Sequence, residues 1–349
     1  MHNLQLTEDQ DLIVDTAKKF VADNVAPEVL DLDEHRKFAR GQFDGLAELG
    51  LFGVCASEDV GGAGMGLLPF AAAVEAIGEQ SSSLARLFVG QVQSARVLEA
   101  AGHEDLEEVM MGGKLAVFCG LEYGLTSSGD AITGTAELVP GGGEADVFYC
   151  ATVDGETPRI LRVEAGSTAR EALTSLGLAS SAPARVKFDG AAATVLSGGD
   201  AAQQAIDAAS QLGWIGVAAN AVGGGSACIA ASKSHAAERI AFGKPLARQH
   251  AVMRKIVESR QGVDAARQLT MHAARLADAG LDATQSALQA RVLGIDAMVR
   301  AADEAIQIHG GYGYTVEYHV ERHYRDGKTL EVLDGGSEKL RDRLATLEV

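Results

Sequence analysis

After Ala201 the helical periodicity of this chain hardly pauses: alanine-rich patterns run over 203–240, 247–279, 282–310 and 335–346. Apolar residues recurring near every 3.6 positions must be buried along one face, and alanine carries the highest helix propensity. Long helices joined by turns this short pack best as an antiparallel bundle. Residues 198–349 are therefore predicted to form a four-helix bundle, and the rest of the chain has to be compatible with it.

Residues 7–112 are helical in pattern as well. Thr7 and Gln10 make a capping-box pair, and Leu12, Ile13, Thr16, Ala17, Phe20 and Val21 fall on one helical face. Further helices are predicted at 38–50, 68–79 and 84–101. The turn Gly61-Gly62-Ala63-Gly64-Met65-Gly66 has neither the preceding strand nor the spacing of a dinucleotide fingerprint, and it reads as a structural loop. Between 114 and 197 the texture changes to short β-prone runs, LAVFC, DVFYCAT, RILRV and RVKF, separated by Gly, Asp, Pro and Ser clusters. The fold class is thus mainly α with a small β domain: helical 1–113, a shortened β domain 114–197, and the bundle 198–349.

Composition limits the function classes. A formal net charge of -18 opposes nucleic-acid or anionic-lipid binding, which need a basic footprint. Between Lys233 and Arg267 the balance reverses: eight basic residues (Lys233, Arg239, Lys244, Arg248, Arg254, Lys255, Arg260, Arg267) stand against three acidic ones (Glu238, Glu258, Asp264), a local +5. That excess suits a small polyanion such as a phosphate-bearing cofactor, and a solvated helix face suits it equally. The four cysteines, Cys55, Cys119, Cys150 and Cys228, form no C-x-x-C pair and read as small buried hydrophobes. With no apolar run near bilayer length and no signal-like start in MHNLQLTEDQD, a cytoplasmic location is expected.

Three strings in the last third carry the chemistry: ERIAFGKPLARQH (238–250), QIHGGYGY (307–314) followed by EYHVERHYRD (317–326), and LEVLDGGSEKLR (330–341). The first ends one helix and turns at Gly243-Lys244-Pro245, so Arg239 can fork onto a pyrophosphate and Phe242 can offer an aromatic face. In the second, Gly310 and Gly311 remove side chains where a helix ends, which lets a ligand or a neighbouring helix approach the backbone. Gln307 lies one turn earlier. A plain helix C-cap and turn would leave the same signature.

Together these strings resemble the C-terminal domain of the acyl-CoA dehydrogenase family, with its E-R-x-x-F-G-K, Q-x-x-G-G-x-G-[FY], R-D and Y-E-G-T pattern. LAELGLFGVCASEDVGGAGMG (46–66) is similar to the family's N-terminal E-L-G-L…P-E-x-x-G-G-x-G-x-G segment. The resemblance implies two helical domains around a β domain, α,β-dehydrogenation of an acyl-CoA thioester, and an FAD whose adenosine-pyrophosphate half rests on a neighbouring subunit's C-terminal helices. Arg239, Phe242, Gln249, Gln307, Gly310 and Gly311 would contact that half. Electron transfer flavoprotein is the implied acceptor.

Two departures matter. Where most members carry the catalytic glutamate of Y-E-G-T, this chain reads Leu333-Asp334-Gly335-Gly336, so Asp334 is the aligned base candidate. An aspartate is one methylene shorter, a displacement of roughly 1 Å that can cost about a hundredfold, although nitroalkane oxidases run this fold with an aspartate base. A turn or cap carboxylate is the other reading of Asp334. QLGWIG (211–216), where a minority of members place the base, holds no carboxylate. In the β domain, the family's C-x-T-E-P-x-A-G-S-D loop and W-I-T-[NS] strand have no counterpart in FCGLEYGLTSSGDAITGTAELVPGGGEADVFYCATVD, and Trp214 is the only tryptophan. The half that serves a neighbour's FAD is kept while the ring half is lost. In this the chain resembles the degenerate subunit of an α2β2 heterotetrameric bacterial acyl-CoA dehydrogenase of the kind that handles steroid side chains. A homomer using Asp334, and a scaffold without flavin, are the alternatives.

His319 and His323 stand at i and i+4, but the order is not H-E-x-x-H and no third ligand is apparent, so no metal is expected. Glu321, Arg322, Arg325 and Asp326 are expected to form structural ion pairs at the base of the bundle.

Overall fold

A computed structural model describes residues 6–348. The chain opens with α1 (Glu8–Phe20), which carries the expected capping box: Thr7 Oγ1 accepts from the Gln10 N–H at 3.3 Å and Gln10 Oε1 accepts from the Thr7 N–H at 3.1 Å. A π turn (Val21–Val25) leads to α2 (Val29–Glu34), α3 (Arg40–Glu48), α4 (Leu67–Gln80), α5 (Ser82–Ala101) and α6 (Asp105–Met110). The glycine-rich turn before α4 is structural. Asp278, from the far domain, accepts from the Leu67 and Leu68 N–H groups at 2.6 and 3.0 Å and so caps α4.

An eight-stranded sheet follows: β1 (Ala116–Cys119), β2 (Thr126–Ser128), β3 (Ala131–Val139), β4 (Val147–Asp154), β5 (Thr157–Glu164), β6 (Ala169–Ala172), β7 (Ala184–Ala192) and β8 (Thr194–Gly198). The order is β6-β7-β3-β2-β4-β5-β8, with β1 parallel to β4. The four apolar runs in the sequence are β1, β4, β5 and β7. Of the other four, β2, β6 and β8 are short and largely exposed, so burial left little alternation to read, and β3 is broken by register shifts between Ile132 and Thr133 and between Ala136 and Val139.

The last domain holds α7 (Asp200–Glu238), a two-stranded hairpin of β9 (Ile240–Ala241) and β10 (Lys244–Pro245), α8 (His250–Asp278), α9 (Thr284–His309), α10 (Val320–Val332) and α11 (Gly336–Glu348). Beside the four helices that the sequence pattern placed, the described residues of this domain hold one more, α10. Helix α10 escaped because its buried positions include Arg322, His323 and Asp326, which hide the apolar period. By length and hydropathy α7 does qualify as a membrane span, contrary to the sequence reading, yet 78% of its most apolar window is buried inside the protein. It is the central core helix. Its glycines make it so: a Cβ at Gly223 would lie 2.3 Å from the Glu75 carbonyl oxygen on α4, and one at Gly224 would lie 2.4 Å from Met298 Cε on α9. Cys119, Cys150 and Cys228 are buried as free thiols, whereas Cys55 is only half-buried.

Candidate functional site

At one end of the bundle, α7 stops at Glu238 and α9 stops at His309, and the residues that follow both helices lie in the open. Arg239 is the C-cap of α7, and its N–H donates to the His235 carbonyl at 2.8 Å. The hairpin turns through Phe242 and Gly243, both at positive φ (53° and 75°), and Phe242 is 96% exposed at its tip. Gln249 donates to the Ala241 carbonyl at 3.3 Å and ties the hairpin to the start of α8. Across from it, Gln307 donates to the Tyr314 hydroxyl at 3.1 Å, Gly310 turns at φ 63°, and a Cβ at Gly311 would meet nothing within 4 Å. Tyr312, Tyr314 and Val316 are exposed beside them. An open glycine turn at the end of one helix, and at the end of another an arginine and a phenylalanine ring without a partner among the described residues, leave this end of the bundle free for contact.

The local charge is smaller than the composition suggests. Arg254 pairs with Glu258, Lys255 with Glu304, Arg260 with Asp264, and Arg267 with Glu75 and Asp264. Among the described residues, Lys233, Arg239, Lys244 and Arg248 have no ion-pair partner, so the uncompensated charge sits near the end of α7 and along the hairpin and the turn after it, and not on the face of α8.

Asp334 lies elsewhere and is fully engaged. It follows α10 at φ 50°, and its Oδ1 accepts from Arg86 Nη2 of α5 at 3.0 Å. Arg291 Nη2 of α9 lies 3.4 Å from Oδ2 and donates to the Leu333 carbonyl at 2.7 Å. Burial alone would raise this carboxyl, but Arg86 and Arg291 hold it below the usual carboxylate range. A general base works best with a proton affinity near ambient pH, and this one is pushed the other way. The cavity touching Arg86 and Tyr123 amounts to about 10 Å³, room for one water.

Residues 7–113 match the family model for the acyl-CoA dehydrogenase N-terminal domain, and residues 203–347 match that for the C-terminal domain. The chain belongs to the acyl-CoA dehydrogenase family. Benzylmalonyl-CoA dehydrogenase of Aromatoleum aromaticum is 29% identical over 97% of each chain, and the NADH-dependent acryloyl-CoA reductase of Anaerotignum propionicum is 28% identical over 96% of this chain and 93% of its own. The structure of butyryl-CoA dehydrogenase from Megasphaera elsdenii superposes with a TM-score of 0.89 over 98% of both chains at 25% identity. Membership supports an oxidoreductase acting on CH–CH bonds, with FAD as the family's cofactor.

Within this acyl-CoA dehydrogenase fold, Arg86, Arg291, Tyr123 and Glu122 are the residues that sequence reasoning missed. The signal was present in SSSLARLFVG and SALQARVLG, where each arginine interrupts the apolar face of a core helix and needs a buried anion. Glu122 sits on the short turn between β1 and β2. Its Cβ lies 3.1 Å from where a Gly335 Cβ would be, and its carboxylate folds back over Gly120. Desolvation of its carboxyl raises it to about 7, with the Asp334 charge adding to that. A carboxyl raised on folding takes up protons in the native state, so stability falls as pH rises from the ordinary glutamate value, roughly 4.3, toward 7. Glu122→Gln is expected to flatten that slope. Urea unfolding at about pH 5 and pH 8 reads it, and an unchanged difference between the two would show that Glu122 carries no such linkage.

The expected ion pairs of α10 are only partly formed. Arg325 pairs with Glu321 and Asp33, but Asp326 accepts from the Leu178 N–H at 2.6 Å and Arg322 donates to the Gln80 carbonyl at 2.6 Å. Burial pushes Asp326 up to about 6. These groups cap other elements because backbone donors and acceptors, more than free ions, reach them in the core. His323 is buried against α7 near Gly224, and His319 is at positive φ ahead of α10.

Proposed function

We propose that this chain is the non-catalytic subunit of a heteromeric, FAD-dependent acyl-CoA dehydrogenase, and that it supplies the adenosine-pyrophosphate half-site to a flavin whose reactive ring belongs to a partner subunit. The observation that carries this reading is a contrast: Asp334, at the aligned base position, is spent on two buried arginines, while the backbone at Gly311 stands open.

The fit of FAD divides in the same way. On the open end, Arg239 fits a pyrophosphate, Phe242 an aromatic or sugar face, Gln249 and Gln307 its polar edges, and Gly310 and Gly311 close backbone approach. Around Asp334 the donors that a ring and thioester would need are turned on the carboxylate instead. FAD would supply hydride acceptance when bound, while the residues of this chain bind and orient its far end. The partner subunit would provide the base, the acyl-CoA pocket and the docking surface for electron transfer flavoprotein. A homomeric enzyme with Asp334 as base is disfavoured by the arginine pair, and a flavin-free scaffold by the open glycine turn.

Production of this chain alone and together with a second acyl-CoA dehydrogenase-like chain from the same organism tests the reading. Acyl-CoA turnover with an artificial electron acceptor is expected only from the pair, and Asp334→Asn in the pair should leave turnover per folded complex within about twofold. Turnover by this chain alone, abolished by Asp334→Asn, would establish the homomeric enzyme instead.

A further inference from the structure

The two elements of the open half-site come from different helices, and something must fix their separation. His235, in the last turn of α7, stacks on His309, the last residue of α9, with ring centroids 4.2 Å apart and planes at 28°. Tyr318 closes the pair edge-on, 5.9 Å from His235 and 5.5 Å from His309. His309 Nδ1 donates to the Ala305 carbonyl at 2.8 Å, which fixes its ring and tautomer. The His235 carbonyl accepts the Arg239 N–H, and the Arg239 carbonyl in turn accepts the Leu246 N–H at 2.8 Å, so the hairpin is tied on one side to the His235 turn of α7, as Gln249 ties it on the other to α8. His309 directly precedes Gly310.

We propose that His235 is a positioning residue for the cofactor half-site: stacked on His309, it locks the Arg239 hairpin at a set distance from the Gly310–Gly311 turn. The inference rests on the half-site reading above. It differs from a role in folding because α7 and α9 are already packed along their length through Gly224 and Met298, and the stack adds only the register of their ends.

The surroundings of His235 set the pH response of the stack. His235 faces His309 from α9, Tyr318 from the turn after α9, and Arg239 and Glu238 on its own element. Burial, then His309, then Arg239 lower its proton affinity, with Glu238 opposing. A histidine whose value is lowered on folding contributes stability that is present above its ordinary value, about 6.5, and is lost as pH falls below it. Acidification should therefore loosen the half-site. A cation gained beside a pyrophosphate would by itself tighten binding, so the sign separates the two effects.

The test is FAD titration of the flavin-stripped complex of this chain with its partner at about pH 7.5 and about pH 5.5. His235→Ala is expected to weaken FAD binding about tenfold at the higher pH. His235→Phe, which keeps a stacking ring, should bind like the unaltered complex there and lose its weakening at the lower pH. Unchanged affinity in His235→Ala, or a full acid-side weakening retained by His235→Phe, would overturn the inference. An unaltered complex that takes up no FAD at either pH overturns the half-site reading itself, and this inference with it.

Discussion

Asp334→Ala is expected to destabilise the folded chain by about 3–5 kcal/mol, because it strands two buried guanidinium groups without their shared anion. Arg291 is fully buried and Arg86 nearly so, and neither can swing to water. Arg86→Met should cost far less, about 1 kcal/mol, since Asp334 keeps Arg291 and the buried cluster moves from an excess positive charge to a matched pair. Chemical denaturation of the three proteins gives this order directly. Equal losses in the two variants would mean that the ion pair contributes nothing beyond packing. The pH sign is fixed as well: a carboxyl lowered on folding contributes stability above the ordinary aspartate value, about 3.9, and loses it as pH falls through the lower folded value. Acid unfolding of Asp334→Ala should accordingly be less steep than that of the unaltered chain.

Gly311→Val is expected to have the opposite profile, with the fold intact and the flavin lost. Gly311 has no positive φ that a side chain would strain, and nothing lies within 4 Å of its would-be Cβ. The added isopropyl group would project into the space that the proposed cofactor needs, so flavin retained by the heteromer should fall at least about tenfold while the unfolding midpoint moves by no more than about 0.5 kcal/mol. Gly313 is the control. A Cβ there would sit 2.4 Å from the Ile306 carbonyl oxygen, so Gly313→Val should damage the fold itself. Flavin content unchanged in Gly311→Val would remove the glycine turn from any cofactor site.

Much of the architecture was legible because the helices that matter are amphipathic or alanine-rich over many turns, as in α1, α7, α8 and α9. Helix α10 was not, since its buried side includes Arg322, His323 and Asp326 beside Val320 and Leu330. The six positions that the family resemblance assigns to a cofactor half-site fall at helix ends and turns, which are local features that a sequence displays. The engagement of Asp334 was not legible in this way. Its partners come from positions 248 and 43 residues earlier in the chain, Arg86 and Arg291, and only their insertion into apolar helix faces hinted that each awaited a buried anion. The basic run from 233 to 267 misled for a similar reason: Glu75 and Glu304, which neutralise Arg267 and Lys255, lie outside it.

The most direct test of the central claim is the ratio of FAD to protein chains, measured by absorbance on this chain purified alone and on the complex with its partner. The half-site reading expects no flavin on the chain alone and one FAD per pair of unlike chains, roughly half a flavin per chain, in the complex. A yellow homomer with one flavin per chain would contradict it, because the ring would then have found a home beside Arg86 and Asp334 in this subunit.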